Sequence, residues 1–277
     1  MKPYGITSHK HKIYICDTGI GGLEILDLEK KSFEYFVPVG MGQLQFPLNC
    51  AVDKEGFLYV ADGNRRQVVV FNEQGKFVNA ITLRDQKKPT DVQVQGSKIM
   101  ISALDDHSIH VYNKVDFEFE TSFPSQESKD EHHLYQPANI TLGDSLVYIS
   151  DIGACRVMTY SPEGTYRFSF GGPGKDFGQF TRPKGIATDR EGNIYVVDAA
   201  FENVQIFNSG GQLLMNFGGI YKGKGGMWLP ADIAIDYENI EFFIPFVESG
   251  FRLMHLIYVT NQYGPDKVSV YGFIEAK

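Results

Sequence analysis

Tryptophan occurs once, at Trp228, and cysteine three times, at Cys16, Cys50 and Cys155. The single tryptophan excludes WD-type repeats, which need one per unit. Three widely spaced cysteines are not a disulfide framework, and the absence of any C-x-x-C removes zinc ribbons, thioredoxin-like redox motifs and c-type haem attachment. No apolar run approaches the roughly 20 residues that span a bilayer as a helix. The opening MKPYGITSHKHK carries no secretory signal pattern. Basic residues are outnumbered, 26 Lys and Arg against 34 Asp and Glu, for a formal charge of −8. That balance argues against a general nucleic-acid binder, whose phosphate contacts require a basic face. No segment of the required length holds a helical hydrophobic period.

What is present is a repeat. Six of the twelve prolines, Pro3, Pro47, Pro89, Pro137, Pro183 and Pro230, fall at spacings of 44, 42, 48, 46 and 47. Each is followed by a short apolar run: YGIT, LNCAV, TDVQV, ANITL, KGIAT, ADIAI. A turn comes next, then a β-rich run (IYICD, LYVAD, IMISA, VYISD, IYVVD, IYVTN), then a third run closing on Leu26, Phe71, Tyr112, Tyr160, Phe207 or Tyr271. The last copy needs one extra residue. In the better copies a further turn (NEQG, SPEG, NSGG) leads to a fourth run, FVNAI, YRFSF or LLMNF.

Four short antiparallel strands in about 45 residues describe a propeller blade. The expected fold is all-β: a six-bladed β-propeller of four-stranded antiparallel blades, one domain over residues 1–277. A lone four-stranded sheet has two apolar faces it cannot cover, and stacking blades around an axis buries both. The final blade departs from the rule. Its sequence stops after the third run, so it is expected to lack its outer strand. A natural chain with further N-terminal residues, including an export signal absent here, is the accompanying expectation.

RPKGIATDREGNIYVVDAAFENVQIF and FPLNCAVDKEGFLYVADGNRRQVVVF resemble NHL repeats of the bacterial type: Pro, G-hydrophobic-A, D-x-x-G-x-hydrophobic-Y-V-x-D, N-x-R, then a V-x-V-F-like strand. The pattern departs at Ala103 and Asn261, which replace the strand-ending Asp. The resemblance implies a recognition propeller in a periplasmic or extracellular setting. Enzymatic relatives of the architecture hold metals around the axis.

The strand-ending Asp17, Asp62, Asp151 and Asp198 recur in four blades, which fits turn architecture rather than a catalytic acid needed once. Strand order puts the turns between second and third strands on the same rim as the long linkers between blades, VGMGQLQF (39–46), GGPGKDFGQF (171–180) and GGIYKGKGGMWL (218–229). Long loops on a rigid scaffold commonly carry function. The expected function is therefore non-catalytic binding of a protein or peptide on that rim, with Arg65, Arg66, Arg156, Tyr221 and Trp228 as contacts. GGPGKDFG lacks the βαβ setting and the following G-K-S/T of a phosphate loop. Leu44, Leu134, Phe180 and Met227, each three before a Pro, are expected to plug between blades.

The alternative is a metal-dependent hydrolase or lyase in the central channel, where inner strands supply Asn49, Asp91, Asn139 and Asp232. No cofactor is expected; a structural or channel divalent cation stays open. His132 and His133, beside Asp130 and Glu131, are the metal candidates, although neighbours on an extended segment point apart and solvated loop histidines are the preferred reading. Arg156 next to Cys155 is a feature that lowers a thiol pKa. An insertion, ENIEFFIPFVESGFRLMH (238–255), brings Phe242, Phe243, Phe246 and Phe251 to the opposite rim, as a cap or a second docking patch. A short helix is expected within 239–247.

Overall fold

The computed structural model describes residues 1–124 and 132–277. Asp130 and Glu131 lie outside the described residues. Among the described residues twenty-three strands form six antiparallel sheets. The first blade holds β1 (Pro3–His9), β2 (Lys12–Asp17), β3 (Gly22–Asp27) and β4 (Ser32–Phe36), and the second β5 (Pro47–Val52), β6 (Leu58–Asp62), β7 (Gln67–Phe71) and β8 (Phe77–Thr82). The third holds β9 (Pro89–Gln95), β10 (Lys98–Ala103), β11 (Ser108–Asn113) and β12 (Phe119–Phe123). In the fourth are β13 (Pro137–Leu142), β14 (Val147–Asp151), β15 (Arg156–Tyr160) and β16 (Tyr166–Gly171). The fifth comprises β17 (Pro183–Thr188), β18 (Ile194–Asp198), β19 (Asn203–Phe207) and β20 (Leu213–Gly218). The sixth has only β21 (Pro230–Asp236), β22 (Phe251–Asn261) and β23 (Val268–Ala276). This is the six-bladed propeller with a three-stranded last blade.

The repeat residues explain the register. All six prolines are buried and open the inner strands, where a residue without an N–H interrupts no ladder. Each stands opposite the strand-ending residue, Pro47 against Asp62 and Pro183 against Asp198, for example. The core is a series of apolar clusters between adjacent blades. One joins Cys16, Leu23 and Ile25 to Cys50, Val60 and Phe71; another joins Tyr195 and Val197 to Ile257 and Val259. Leu44, Leu134, Phe180 and Met227 are fully or almost fully buried plugs in these joints.

The insertion is shorter than its sequence suggests. Residues 240–246 form a one-turn helix α1 (Ile240–Phe243) and a 3₁₀ turn (Ile244–Phe246). Phe251 to His255 belong to β22, which pairs with Phe273 to Ala276 and lengthens the last hairpin. The alternation that reads as a loop in sequence is a strand because β23 supplies a partner far along the chain.

Candidate functional site

The strand-ending carboxylates are joints. Asp62 is fully buried and accepts N–H bonds from Gln45 and Phe46 of the preceding linker and from Asn64 and Arg65 of its own turn. Asp198 does the same with Thr181, Arg182, Ala200 and Phe201. Asp151 holds Tyr135, Gln136 and Ala154. In the third blade, where Ala103 replaces the Asp, Asp105 accepts the Lys88 amide instead. In the sixth, Asn261 Oδ1 accepts the Trp228 amide. Each clamp fixes a linker to a turn, so this rim is held rigidly.

The arginines expected as contacts serve the same joints. Arg65 donates to the carbonyls of Met41 and Gln43 and to Gln67 Oε1; Arg66 donates to the Gln86 carbonyl, and Arg156 to that of His133. All three are half-buried. Tyr221 stands exposed, and Trp228 is half-buried. Among exposed Lys175, Asp176, Lys222 and Lys224, the rim also presents large apolar side chains: Met41, Phe177, Ile220 and Tyr263 are 75%, 74%, 71% and 65% exposed. Ile20, Val39, Phe46 and Tyr135 add to these. Sequence reasoning chose the cationic residues because they dominate surface recognition. Each of these arginines spends part of its donor set on a linker carbonyl, a role that residue type alone does not reveal.

Cys155 is half-buried, with its Sγ 3.5 Å from the carbonyls of Ile152 and Thr181. Burial, reinforced by Asp198 and Asp151, raises its thiol pKa, so the lowering expected from Arg156 does not occur. His132 stacks on Tyr166 at 4.2 Å between ring centroids, while His133 packs on His107 and Tyr135. The two histidines face different neighbours.

On the axis, the residue two after each Pro forms a ring: Gly5, Asn49, Asp91, Asn139, Gly185 and Asp232, all buried. Asp91 Oδ2 accepts the Ile140 amide at 2.7 Å, and Asp232 Oδ2 accepts the Ile6 amide at 2.9 Å, each crossing to the next blade. Glycine is needed where neighbouring blades press closest. A Cβ on Gly5 would stand 2.3 Å from Asn49 Oδ1, and one on Gly185 2.5 Å from the Asp232 Cα. From this ring a polar funnel of about 340 Å³, lined by Thr7, Ser8, Gln93, Gln95, Thr141 and Thr188, runs toward the rim opposite the linkers.

Burial dominates the electrostatics here. It pushes Asp232 up to about 7 against the pull of the Ile6 and Ile233 amides, Asn49 and Lys184. Asp91 is raised well above the usual carboxylate range by burial and then by Asp232. Lys184, 3% exposed at the linker end of its strand, is lowered to about 8 by burial and then by Arg182, and donates to Tyr4 Oη at 3.3 Å. Among the described residues no three His, Cys, Asp or Glu side chains are arranged to hold a metal ion. Asp91 and Asp232 each direct an oxygen to a backbone N–H of the next blade.

The insertion phenylalanines divide. Phe243 packs with Ile240 and Val247 on the cluster of Ile13, Ile15, Leu256 and Tyr258, and Phe242 meets the His11 ring edge-on. Phe246 and Phe251 face a groove of about 610 Å³ with Leu253, Leu256, Val270 and Ile274.

No protein-family model matches the chain. Solved structures share its fold. Streptogramin B lyase superposes with a TM-score of 0.67 at 15% identity, over 98% of this chain and 82% of that one. A protein of unknown function from Bacteroides thetaiotaomicron gives 0.71 at 14% identity, over 99% and 70%. A chain of a nidogen–laminin complex gives 0.61 at 14%, over 78% and 79%. At these identities the likeness is one of fold: six-bladed propellers that include both a lyase and a propeller from a protein–protein complex. Among the described residues no helix is long and apolar enough to cross a membrane.

Proposed function

We propose that this chain is an NHL-type propeller acting as a non-catalytic platform that binds a protein partner on the linker rim. The observation that carries the reading is the concentration of exposed large apolar side chains there: Met41, Phe46, Tyr135 and Phe177 on or beside linkers clamped by buried Asp62, Asp151 and Asp198, Ile220 on the linker that Asn261 holds at Trp228, and Tyr263 in the turn after β22. Apolar surface held rigid in the free protein loses little conformational entropy on binding. It also matches the aromatic and Met enrichment of interface cores. The neighbour from a nidogen–laminin complex is consistent with such use of the fold.

The test is site-specific photo-crosslinking in extracts of the source cell. A crosslinker at position 177 or 263 captures one defined partner, whereas one at Phe33 or Tyr35, exposed on outer strand β4, does not. Equal capture at all four positions, or none at 177 and 263, overturns the reading.

One observation favours a second reading, the channel enzyme: the polar funnel ending on Asp91 and Asp232. If it holds a divalent cation, Ca²⁺, Mg²⁺ or Mn²⁺ raises the Tm of the wild type and leaves an Asp91→Asn, Asp232→Asn double variant unmoved. No cation-dependent shift in the wild type removes this reading.

A further inference from the structure

The sixth blade has an open slot whose occupant the other five blades describe. In each complete blade the third strand places one apolar residue opposite the outer strand: Leu23 pairs with Phe36, Val68 with Ile81, Ile109 with Phe123, Val157 with Phe170 and Val204 with Phe217. All five third-strand residues are fully buried. Val268, which pairs with Thr260 as Val68 pairs with Ala61, is the sixth, and it is only half-buried. Two residues further on the contrast sharpens. Ile25, Val70, Val111, Thr159 and Ile206 are at most 6% exposed, and their counterpart Val270 is 42% exposed.

The edge of β23 carries no defence. VSVYGFIEA has no Lys and no Pro, and its one charge, Glu275, pairs with Arg252 at 3.3 Å. Val270 and Ile274 face the same groove as Phe246 and Phe251. That groove continues the packed joint between the sixth and first blades through Leu253 and Leu256.

We propose that this edge and groove take an extended segment of a second polypeptide, apolar at alternate residues, which completes the sixth blade as its outer strand. The interaction is β-strand addition: main-chain hydrogen bonds to β23 supply affinity, and side chains entering the groove supply selectivity. The surface is separate from the linker rim and does not rest on that reading. The five outer strands specify the ligand: five or six residues with Phe or Ile opposite Val268, as in YRFSFG. The net charge of −8 works against a second copy of this chain and favours a neutral or basic segment.

The experiment uses the intact protein and five labelled peptides carrying its own outer-strand sequences, among them TYRFSFGG (165–172), followed by fluorescence anisotropy. At least one peptide binds saturably. Val270→Lys or Ile274→Lys, both at exposed positions, and N-methylation of alternate peptide amides each weaken it by about tenfold or more. Three results overturn the proposal: no saturable binding by any of the five peptides, binding indifferent to these changes, or a dimer of the protein alone that Ile274→Lys dissolves. The last would assign the edge to a second copy.

Discussion

Asp232 Oδ2 accepts the backbone N–H of Ile6 at 2.9 Å, joining residues 226 positions apart. It has a companion in Thr260 Oγ1, which donates to the Tyr4 carbonyl at 2.6 Å. The joint between the third and fourth blades is built the same way: Asp91 takes the Ile140 amide, and Ser102 Oγ donates to the Ala138 carbonyl at 2.8 Å. Among the described residues the seam where the ring closes is thus chemically an ordinary joint between the sixth and first blades. Asn239 adds an outer clasp through its Nδ2 to the Lys10 carbonyl.

Removing the seam acceptor strands a buried amide. Asp232→Ala is expected to cost about 1–3 kcal/mol, read as a lower urea midpoint. Asp232→Asn, which keeps an acceptor oxygen, costs less. Equal stability of the alanine variant and the wild type would contradict the seam assignment.

Asp62 holds four amides where Asp232 holds fewer, so its loss is heavier. Asp62→Ala is expected to cost about 3 kcal/mol or more, with Asp62→Asn intermediate, because Asn261 does a reduced version of this work in the sixth blade. Chemical denaturation of the three proteins gives the ranking.

Gly185 has backbone of the next blade where its Cβ would go. Gly185→Ala therefore forces two blades apart at the axis and costs about 1–3 kcal/mol as overpacking, seen as a lower Tm. A neutral result would mean that the ring is looser than the inter-blade distances imply.

Stability should fall as pH rises through neutrality. Glu24 is pushed up to about 7 by burial, with Asp17 beside it adding to the shift. Glu24 Oε2 and Asp17 Oδ2 are buried with no hydrogen-bond partner of their own, and one proton shared between the two carboxyls satisfies both. Asp232 is likewise raised to about 7. A carboxyl whose folded pKa lies above its unfolded value stabilises fully below about 4 and loses that contribution as pH rises through about 7. Lowered groups act oppositely at the acid end. Asp17 is held down, despite burial, by the Lys2 and Gly19 amides, and its share fades as pH falls through its folded pKa. The Tm is expected to drop between pH 6 and 8, by about 2–4 °C for each kcal/mol lost, and Glu24→Gln should flatten that slope. A wild-type Tm unchanged or rising over this window contradicts the assignment.

Much of the architecture is legible in the residues because it depends on local chemistry. Buried prolines at near-even spacing, turn-forming Asp and short apolar runs each report a nearby event, and together they count the blades and locate the linker rim. The roles of Asp91 and Asp232 are not legible, because their partners Ile140 and Ile6 sit 49 and 226 residues away. Arg65 shows the same limit from the other side: its bonds to the Met41 and Gln43 carbonyls join a turn to a linker that sequence alone does not bring together. The length of β22 escapes for a related reason, since Phe251 to His255 become a strand only through pairing with Phe273 to Ala276.

The claim most exposed to a single measurement is that partner binding occurs on the linker rim. Hydrogen–deuterium exchange of the protein with and without the partner captured by crosslinking tests it directly. The account predicts added protection in 37–46, 171–180 and 218–229, with the strand cores unchanged. Protection confined to the turns of the opposite rim or to the funnel residues Gln93, Gln95 and Thr188, with those linkers exchanging as in the free protein, would contradict it.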